Sequence, residues 1–281
     1  MKKDAAYWES QFRNGLAVPE RPQLLARWAA DSEKARNSLR HTLDLRYGPH
    51  PMQTLDLYHA RSKCRALFMF IHGGYWQAMD KRDHGFIAQA LTEIGVTVAL
   101  PNYALCPAVT IEEIVRQILD ASAWLYRNAA GFGAPRERMY VSGHSAGGHL
   151  TAMSMAAVWP RFAPDLPANL FRGGLAISGL YDLRDITRVP SINCNARLDL
   201  PKALKVSPMF LPPAIDAPLF LAVGEHELPP FRRQQQVFAR RWKRVVAEEV
   251  QCRQENHYSI LFQLADPASA LFRSAQEMMA L

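Results

Sequence analysis

The chain of 281 residues has few cysteines and no long hydrophobic run. Its four cysteines (Cys64, Cys106, Cys194 and Cys252) lack CxxC spacing and the spacing of Cys/His metal ligands. We therefore expect free thiols in a cytoplasmic protein that holds no metal. No stretch approaches the roughly 18 consecutive apolar residues of a membrane-spanning helix, and the polar residues 1–4 do not resemble a signal peptide.

Internal repeats and low-complexity tracts are also absent. Apolar residues make up 49% of the chain, which is enough for a large core and argues against disorder. Because α/β folds of this length often remain undivided, we expect residues 1–281 to form a single domain.

Acidic residues are fewer than basic ones, and the formal net charge is +7. The densest basic cluster consists of Arg232, Arg233, Arg240, Arg241, Lys243 and Arg244. A solvated helix face is the commoner explanation of such a cluster, and no zinc-finger, RNP-like or basic-zipper pattern accompanies it. The charge favours a small anionic substrate over nucleic acid, which stays as an alternative partner.

The chain changes its periodicity twice. Residues 1–38 are polar with spaced aromatic side chains, which predicts an N-terminal helical segment. Residues 39–47 and 54–59 alternate apolar and polar positions around the turn 48–51, which predicts an antiparallel hairpin at a sheet edge. Buried strands are predicted at 66–71, 96–100, 139–141, 175–177 and 218–223, with a later short strand at 249–252.

Helical patterns separate these strands, most clearly at 110–129, where Thr110 and Glu113 predict a capping box. Alternating strands and helices predict a doubly wound, mostly parallel α/β sheet with an antiparallel N-terminal edge. Residues 182–214 contain five prolines and no clear strand. Because long irregular segments in compact domains are usually functional, we interpret this one as a small lid or cap segment.

The pentapeptide GHSAG at 143–147 has the GxSxG pattern of a nucleophile elbow. A predicted strand precedes it and a helical pattern at 148–158 follows, which is the setting that such an elbow requires. A glycine-rich turn without catalytic function is the alternative. The context favours Ser145 as a nucleophile.

The sequence HGGYW at 72–76 follows a predicted buried strand. Backbone N–H groups of Gly73 and Gly74, together with that of Ala146, are candidates for an oxyanion hole. His72 is expected to hold the loop by a hydrogen bond. Tyr75 and Trp76 are either core aromatics or a pocket wall, and we include them, with His72 and His144, as candidate pocket residues.

The acid and base of a serine hydrolase follow the nucleophile in the order Asp/Glu, then His. The loop after strand 218–223 contains Glu225, His226 and Glu227, and His257 lies between the last strand and the last helix. We favour Glu227 as the acid, with Glu225 as the rival, and His257 as the base. His226 is a poorer base because it adjoins its own acid.

The remaining histidines have simpler interpretations. His144 and His149 flank the elbow without a third ligand at metal spacing. His41, His50, His59 and His84 are expected at surface or edge positions.

HGGYW resembles the signature of kynurenine formamidases (arylformamidases), relatives of the hormone-sensitive-lipase-like esterases. Similar stretches are residues 7–28, TLDLY at 54–58, GHSAG, ISGLYDL at 177–183, FRRQ at 231–234 and NHYS at 256–259. Glu227 stands where many members have Asp, and Leu228 and Pro230 also depart from the family pattern.

The resemblance implies an α/β-hydrolase fold and hydrolysis of N-formyl-L-kynurenine to L-kynurenine and formate in tryptophan breakdown. It also implies Ser145, His257 and Glu227 as catalytic residues, oxyanion donors at Gly73, Gly74 and Ala146, and no cofactor. A carboxylesterase for short-chain or aryl esters is the second hypothesis. A catalytically silent binding protein is the third, and a homodimer is left open.

Overall fold

One eight-stranded sheet forms the centre of the computed structural model, which describes residues 4–281, so that the first three residues of the predicted N-terminal segment lie outside it. The strands are β1 His41–Arg46, β2 Thr54–Tyr58, β3 Ala66–Ile71, β4 Val96–Pro101, β5 Met139–His144, β6 Gly174–Ile177, β7 Leu219–Gly224 and β8 Val246–Cys252. Their order across the sheet is β1-β2-β4-β3-β5-β6-β7-β8.

Strands β3 to β8 run parallel, whereas β2 is antiparallel to both β1 and β4. This confirms the predicted mostly parallel sheet with an antiparallel N-terminal edge. Alternate side chains of β3 enter two different cores: Met69 lies in one and Phe68 in the other. Strand β3 is buried on both faces for this reason, as its continuous apolar sequence indicates.

Helices cover both faces of the sheet. The α-helices are α1 Ala5–Phe12, α2 Asn14–Ala17, α3 Arg21–Ser38, α4 Ala88–Glu93, α5 Ile111–Asn128, α6 Ala146–Ala156, α7 Trp159–Phe162, α8 Pro190–Ala196, α9 Leu200–Lys205, α10 Pro229–Arg241, α11 Ile260–Leu264 and α12 Ala270–Met279. Short 3₁₀ helices lie at Lys81–Ile87, Ala129–Phe132, Arg136–Arg138, Asp185–Arg188 and Pro208–Phe210. In the described range, none of these helices has both the length and the apolar character needed to cross a membrane.

Helix α5 follows its sequence pattern closely. The hydroxyl of Thr110 accepts a hydrogen bond from the N–H of Glu113 at 3.2 Å, which caps the first turn. Ile114, Ile118 and Leu125 are buried on one face of the helix. The apolar stripe at helical spacing therefore packs on the sheet.

Helix α3 packs against the 3₁₀ helix Lys81–Ile87 and buries Trp28 there. The ring of His84 lies 5.4 Å from that of Trp28 and 5.7 Å from that of Phe70. The expectation that His84 lies at the surface or an edge is wrong, because its side chain is fully buried between these rings. Histidine is a polar residue, so its identity did not predict burial. The burial of His84 depends on helix α3, which is distant in sequence.

A buried ion pair joins the edge strands to the same 3₁₀ helix. Lys81 is 3% exposed, and its ammonium contacts the buried carboxylate of Asp56 on β2. It also lies 2.6 Å from the more exposed carboxylate of Asp44 on β1. Asp44 has a φ of 54° within an irregularity of the β1–β2 register. The bulge thus brings a second carboxylate to the lysine.

The proline-rich stretch 182–214 contains α8, α9 and two short 3₁₀ helices, and no strand is formed in it. Its apolar side chains Ile186, Val189 and Val206 are buried. The N–H of Leu183 donates to the hydroxyl of Ser207 at 2.9 Å, which joins the two ends of the stretch. Its action as a lid stays a prediction.

Candidate active site

Ser145 occupies a sharp turn between the end of β5 and the start of α6, with φ 58° and ψ −116°. A methyl group on Gly143 would lie 2.4 Å from the carbonyl oxygen of Gly147, and one on Gly147 would lie 1.9 Å from that of Ile71. Only glycine therefore fits at either position. GHSAG forms the strand–turn–helix geometry of a nucleophile elbow, with the serine in a strained conformation.

The loop after β3 packs directly on this elbow. A Cβ on Gly73 would lie 2.8 Å from the carbonyl oxygen of His144 and 3.1 Å from Cβ of Ser145. Gly74 adopts a φ of +101°, which favours glycine. Ala146 begins α6, where an N–H has no acceptor within the helix. The three predicted oxyanion donors thus belong to backbone segments that meet at Ser145.

His72 supports this loop from behind. Its ring stacks on that of Tyr103 with a centroid distance of 4.3 Å, and its Nδ1 lies 2.9 Å from the carbonyl oxygen of Gly73. Burial lowers the pKa of His72 to about 4, so the ring is neutral and Nδ1 carries the proton donated to that carbonyl. His72 contacts the loop and does not line the pocket described below.

His257 and Glu227 form a buried pair at the ends of the last two strands. His257 Nδ1 lies 2.7 Å from Glu227 Oε2. The other carboxylate oxygen accepts the N–H of Gly224 at 2.9 Å and the hydroxyl of Ser178 at 2.5 Å. Both side chains are almost inaccessible to solvent. The carboxylate is therefore held from three directions.

Glu225 lies elsewhere. It is exposed, and its carboxylate accepts the N–H of Gln254 at 3.0 Å. Of the two carboxylates that the sequence left open, the structure brings Glu227 to His257.

A pocket of about 180 Å³ opens above the elbow. It is lined by Asn14, Arg21, Gly74, Tyr75, Gln77, Ala78, Met79, His144, Ser145, His257 and Tyr258. Ser145 and His257 thus share one small cavity with an aromatic wall. Among residues 4–281, no group of three His, Cys, Asp or Glu side chains is placed to hold a metal ion.

The two aromatic residues of HGGYW separate in the structure. Tyr75 lines the pocket, and its hydroxyl donates to the carbonyl of Phe12 in α1. Trp76 is fully buried, and its indole N–H donates to Nδ1 of His149 at 3.2 Å. Tyr75 therefore forms part of the pocket wall, whereas Trp76 packs in the core.

His144 precedes Ser145 in the sequence, and His149 follows it in helix α6. The ring of His144 lines the pocket 4.6 Å from that of His257, and burial, reinforced by His257, holds its pKa well below 6.5. His149 Nε2 lies 2.7 Å from the carbonyl oxygen of Val206, and burial lowers its pKa to about 4. His149 thus connects helix α6, through Trp76 and Val206, to the HGGYW loop and to the stretch 182–214.

Sequence reasoning assigned no role to several residues around the pocket. Ser178 holds Glu227, whereas Asn14, Arg21, Gln77 and Tyr258 line the cavity. Tyr258 adjoins the predicted base in sequence, which is a signal that could have identified it. Asn14 and Arg21 come from the N-terminal helices, and nothing in their local pattern indicates where those helices pack.

Comparison with known proteins agrees with this geometry. A family model described as the alpha/beta hydrolase fold matches residues 68–263. A kynurenine formamidase of Danio rerio is 28% identical over 246 residues, which is 84% of this chain and 80% of the relative. A kynurenine formamidase of Drosophila melanogaster is 31% identical over 151 residues, 53% of this chain and 49% of its own.

Solved structures are similar over the whole sheet. A proposed thioesterase from a Silicibacter species has a TM-score of 0.85 and 34% identity, over 94% of this chain and 97% of its own. An esterase of Pyrobaculum calidifontis has a TM-score of 0.72 at 18% identity, over 94% of this chain and 93% of its own, and this likeness concerns the fold alone.

The formamidase relatives confirm the resemblance inferred from HGGYW. The family model covers well over half of the chain, and the sheet order and elbow described above are those of the same fold. The chain belongs to the α/β-hydrolase family, and it is a hydrolase acting on ester or amide bonds.

Proposed function

We propose that Ser145, His257 and Glu227 form the catalytic triad of this hydrolase. The observation that carries the proposal is the buried 2.7 Å contact between His257 Nδ1 and Glu227, beside a serine on a strained elbow. Because Nδ1–H is held by the carboxylate, Nε2 is the free nitrogen that takes the serine proton. Ser145 and His257 lining one pocket also supports this assignment.

In the proposed reaction, Ser145 Oγ attacks the carbonyl carbon while His257 Nε2 accepts the proton. The N–H groups of Gly73, Gly74 and Ala146 stabilise the resulting oxyanion. His257 then protonates the leaving nitrogen or oxygen, and the acyl group stays on Ser145. Water, deprotonated by His257, releases the acid. No metal or organic cofactor takes part.

The substrate that we propose is N-formyl-L-kynurenine, which is cleaved to L-kynurenine and formate in the cytoplasm during tryptophan breakdown. Support comes from the formamidase relatives and from the HGGYW loop. The two tyrosines of the pocket, Tyr75 and Tyr258, suit an aryl substrate. The small cavity suits the formyl group, which has no carbon beyond its carbonyl.

A direct comparison of kcat/KM tests the proposal, with N-formyl-L-kynurenine against a p-nitrophenyl short-chain ester and Ser145→Ala as the blank. We expect a strong preference for the formamide that disappears in the variant. Efficient ester cleavage with negligible formamide turnover would instead establish the second candidate, a carboxylesterase. The second candidate is supported by the similar solved structure described as a proposed thioesterase, because a thioesterase also cleaves an ester-type bond.

A covalent probe tests the third hypothesis, a catalytically silent binding protein. Labelling of Ser145 by a fluorophosphonate probe is expected, and its failure would favour a binding protein.

For the nucleic-acid alternative, the basic residues of α10 and the following turn are exposed, as a solvated face requires. We expect no salt-dependent mobility shift with DNA or RNA.

A further inference from the structure

The catalytic pocket continues into a second, outer compartment of about 220 Å³. The two compartments share five lining residues, Asn14, Arg21, Tyr75, Gln77 and Tyr258. The outer one adds Arg13 and Gly15 of the N-terminal segment and Ser191 and Ile192 of α8. A ligand longer than a formyl group can therefore extend from Ser145 past the shared residues into the outer compartment.

The shared wall carries the guanidinium of Arg21, which hydrogen-bonds with the side chain of Tyr258 and has no carboxylate partner among the described residues. Within residues 4–281, no carboxylate lies within ion-pair distance of Arg21, whereas the neighbouring Arg13 has Glu9 at 3.6 Å. The guanidinium of Arg21 lies 5.6 Å from the ring centroid of Tyr258. No Asp or Glu of the described residues lines either compartment. The wall is thus prepared for an anionic group, which a guanidinium binds through paired hydrogen bonds.

Two side-chain amides of the same wall lack partners. Asn14 is 3% exposed, and its amide nitrogen has no hydrogen-bond partner in the described chain. The amide oxygen of Gln77 is likewise buried without a partner there. Buried polar groups are nearly always paired in native proteins, so an unpaired donor and an unpaired acceptor beside a cavity indicate a ligand that offers both.

We infer that Arg21, Asn14 and Gln77 bind the α-amino-acid end of the substrate. The guanidinium of Arg21 and the amide N–H of Asn14 donate to the α-carboxylate, and the amide oxygen of Gln77 accepts from the α-ammonium. The aryl ring then lies along Tyr75 and Tyr258, with the formamide at Ser145. This assignment rests on the proposed function, because the substrate must carry both a formamide and an amino-acid group.

Two substrates that differ only at the amino-acid end provide the test: N-formyl-L-kynurenine and 2-formamidoacetophenone. The readout is the ratio of their kcat/KM values. We expect Arg21→Met to lower the preference for N-formyl-L-kynurenine by about 10- to 100-fold, mainly through KM, as the loss of a charge-assisted hydrogen bond requires. Arg21→Lys should recover part of the preference, because it restores the charge without the planar fork.

Arg27→Met is the matched control. Arg27 lies six residues further along α3, pairs with Asp31 at 3.4 Å and lines neither compartment. The variant removes the same charge from the same helix, and we expect the ratio to stay that of the wild type.

The outcomes separate the two proposals. Equal loss of both activities in Arg21→Met, or an unchanged ratio, would overturn the amino-acid site. Wild-type enzyme that cleaves both formamides equally would overturn the site while leaving the formamidase function intact. Wild-type enzyme that cleaves a p-nitrophenyl ester but neither formamide would overturn the proposed function and, with it, this assignment.

Discussion

At the scale of single residues, the proposed catalytic acid is held unusually firmly. Glu227 receives N–H and hydroxyl donors on one oxygen and His257 on the other, so its orientation does not depend on the histidine. A glutamate reaches further than an aspartate by one methylene group. Ser178 and Gly224 fix that longer side chain and compensate for its additional freedom.

Glu227→Gln tests this role. The amide cannot stabilise the imidazolium of His257 and can hold the wrong tautomer, so we expect kcat to fall by about 10³- to 10⁴-fold. Glu225→Gln is the matched control two positions earlier. Its kcat should stay within about twofold of wild type, because that carboxylate is exposed and accepts the N–H of Gln254 instead of holding His257. Comparable losses in the two variants would contradict the assignment.

A second residue-scale prediction concerns the elbow glycines. An alanine at Gly147 would place its methyl group 1.9 Å from the Ile71 carbonyl oxygen, a contact that requires backbone movement. We expect Gly147→Ala to lower the free energy of unfolding by at least about 2 kcal/mol. Urea denaturation measures this change.

Gly131→Ala provides the comparison, since the added methyl group would meet no described atom within 4 Å beyond its own stretch of backbone. The alanine reduces the freedom of the unfolded chain, so we expect no loss and a gain of up to about 1 kcal/mol. Equal stability of the two alanine variants would show that the elbow tolerates a larger side chain.

At the scale of elements, the buried ion pair of Lys81 connects β1 and β2 to the 3₁₀ helix that follows the HGGYW loop. Lys81→Met would leave the carboxylate of Asp56, which is 1% exposed, without its cation. We expect a loss of about 3–5 kcal/mol in the free energy of unfolding, since breaking a buried pair leaves an uncompensated charge. Chemical denaturation gives the value.

Lys34→Met is the control for loss of a lysine, because its ion pair with Asp31 is on the exposed face of α3. It should change the unfolding midpoint very little. If Lys81→Met were equally mild, water or a rearranged side chain would have to compensate Asp56.

The elements themselves could largely be predicted from periodicity. Helix α5 begins at the residue after the predicted cap, and strand β3 has the predicted bounds. Helix α6 begins at Ala146, two residues before the predicted start. Glycines have low helix propensity, but those at the start of α6 are required by close packing on Ile71 and Ile177. The motif glycines therefore obscured the start of a helix that tertiary contacts stabilise.

The contribution of the N-terminal helices to the pocket could not be predicted in the same way. The carboxylate of Glu20 accepts the side-chain amide of Asn256, a contact between residues 236 positions apart. Glu9 accepts two hydrogen bonds from Ser191 at 2.7 Å. Such contacts depend on how folded helices and strands pack against one another. Neither a sequence motif nor the periodicity of apolar residues predicts them.

At the scale of the whole molecule, buried histidines link stability to pH. Burial lowers the pKa of His72, His84 and His149 to about 4, from an ordinary value near 6.5. The unfolded chain therefore takes up protons below pH 6.5 that the folded chain does not. Stability is full above that pH and falls as the pH decreases toward 4, by about 1.4 kcal/mol per pH unit for each histidine at most.

Urea unfolding at pH 7.5, 6.0 and 5.0 checks this expectation, with the midpoint falling at each step. His84→Gln removes one of these buried histidines, so its midpoint should depend less steeply on pH than that of the wild type. Parallel pH profiles of the two proteins would mean that His84 takes up its proton without unfolding.

The outer wall of the pocket has an evolutionary consequence. Asn14 and Arg21 precede residue 68, where the match to the α/β-hydrolase family model begins, whereas the elbow and the proposed acid and base lie within that match. On the proposed assignment, substitutions in a short leading stretch alter what this enzyme accepts, while the proposed catalytic residues stay constant. Grafting the first forty residues of a homologue onto this catalytic core is accordingly a direct route to redirecting its substrate preference.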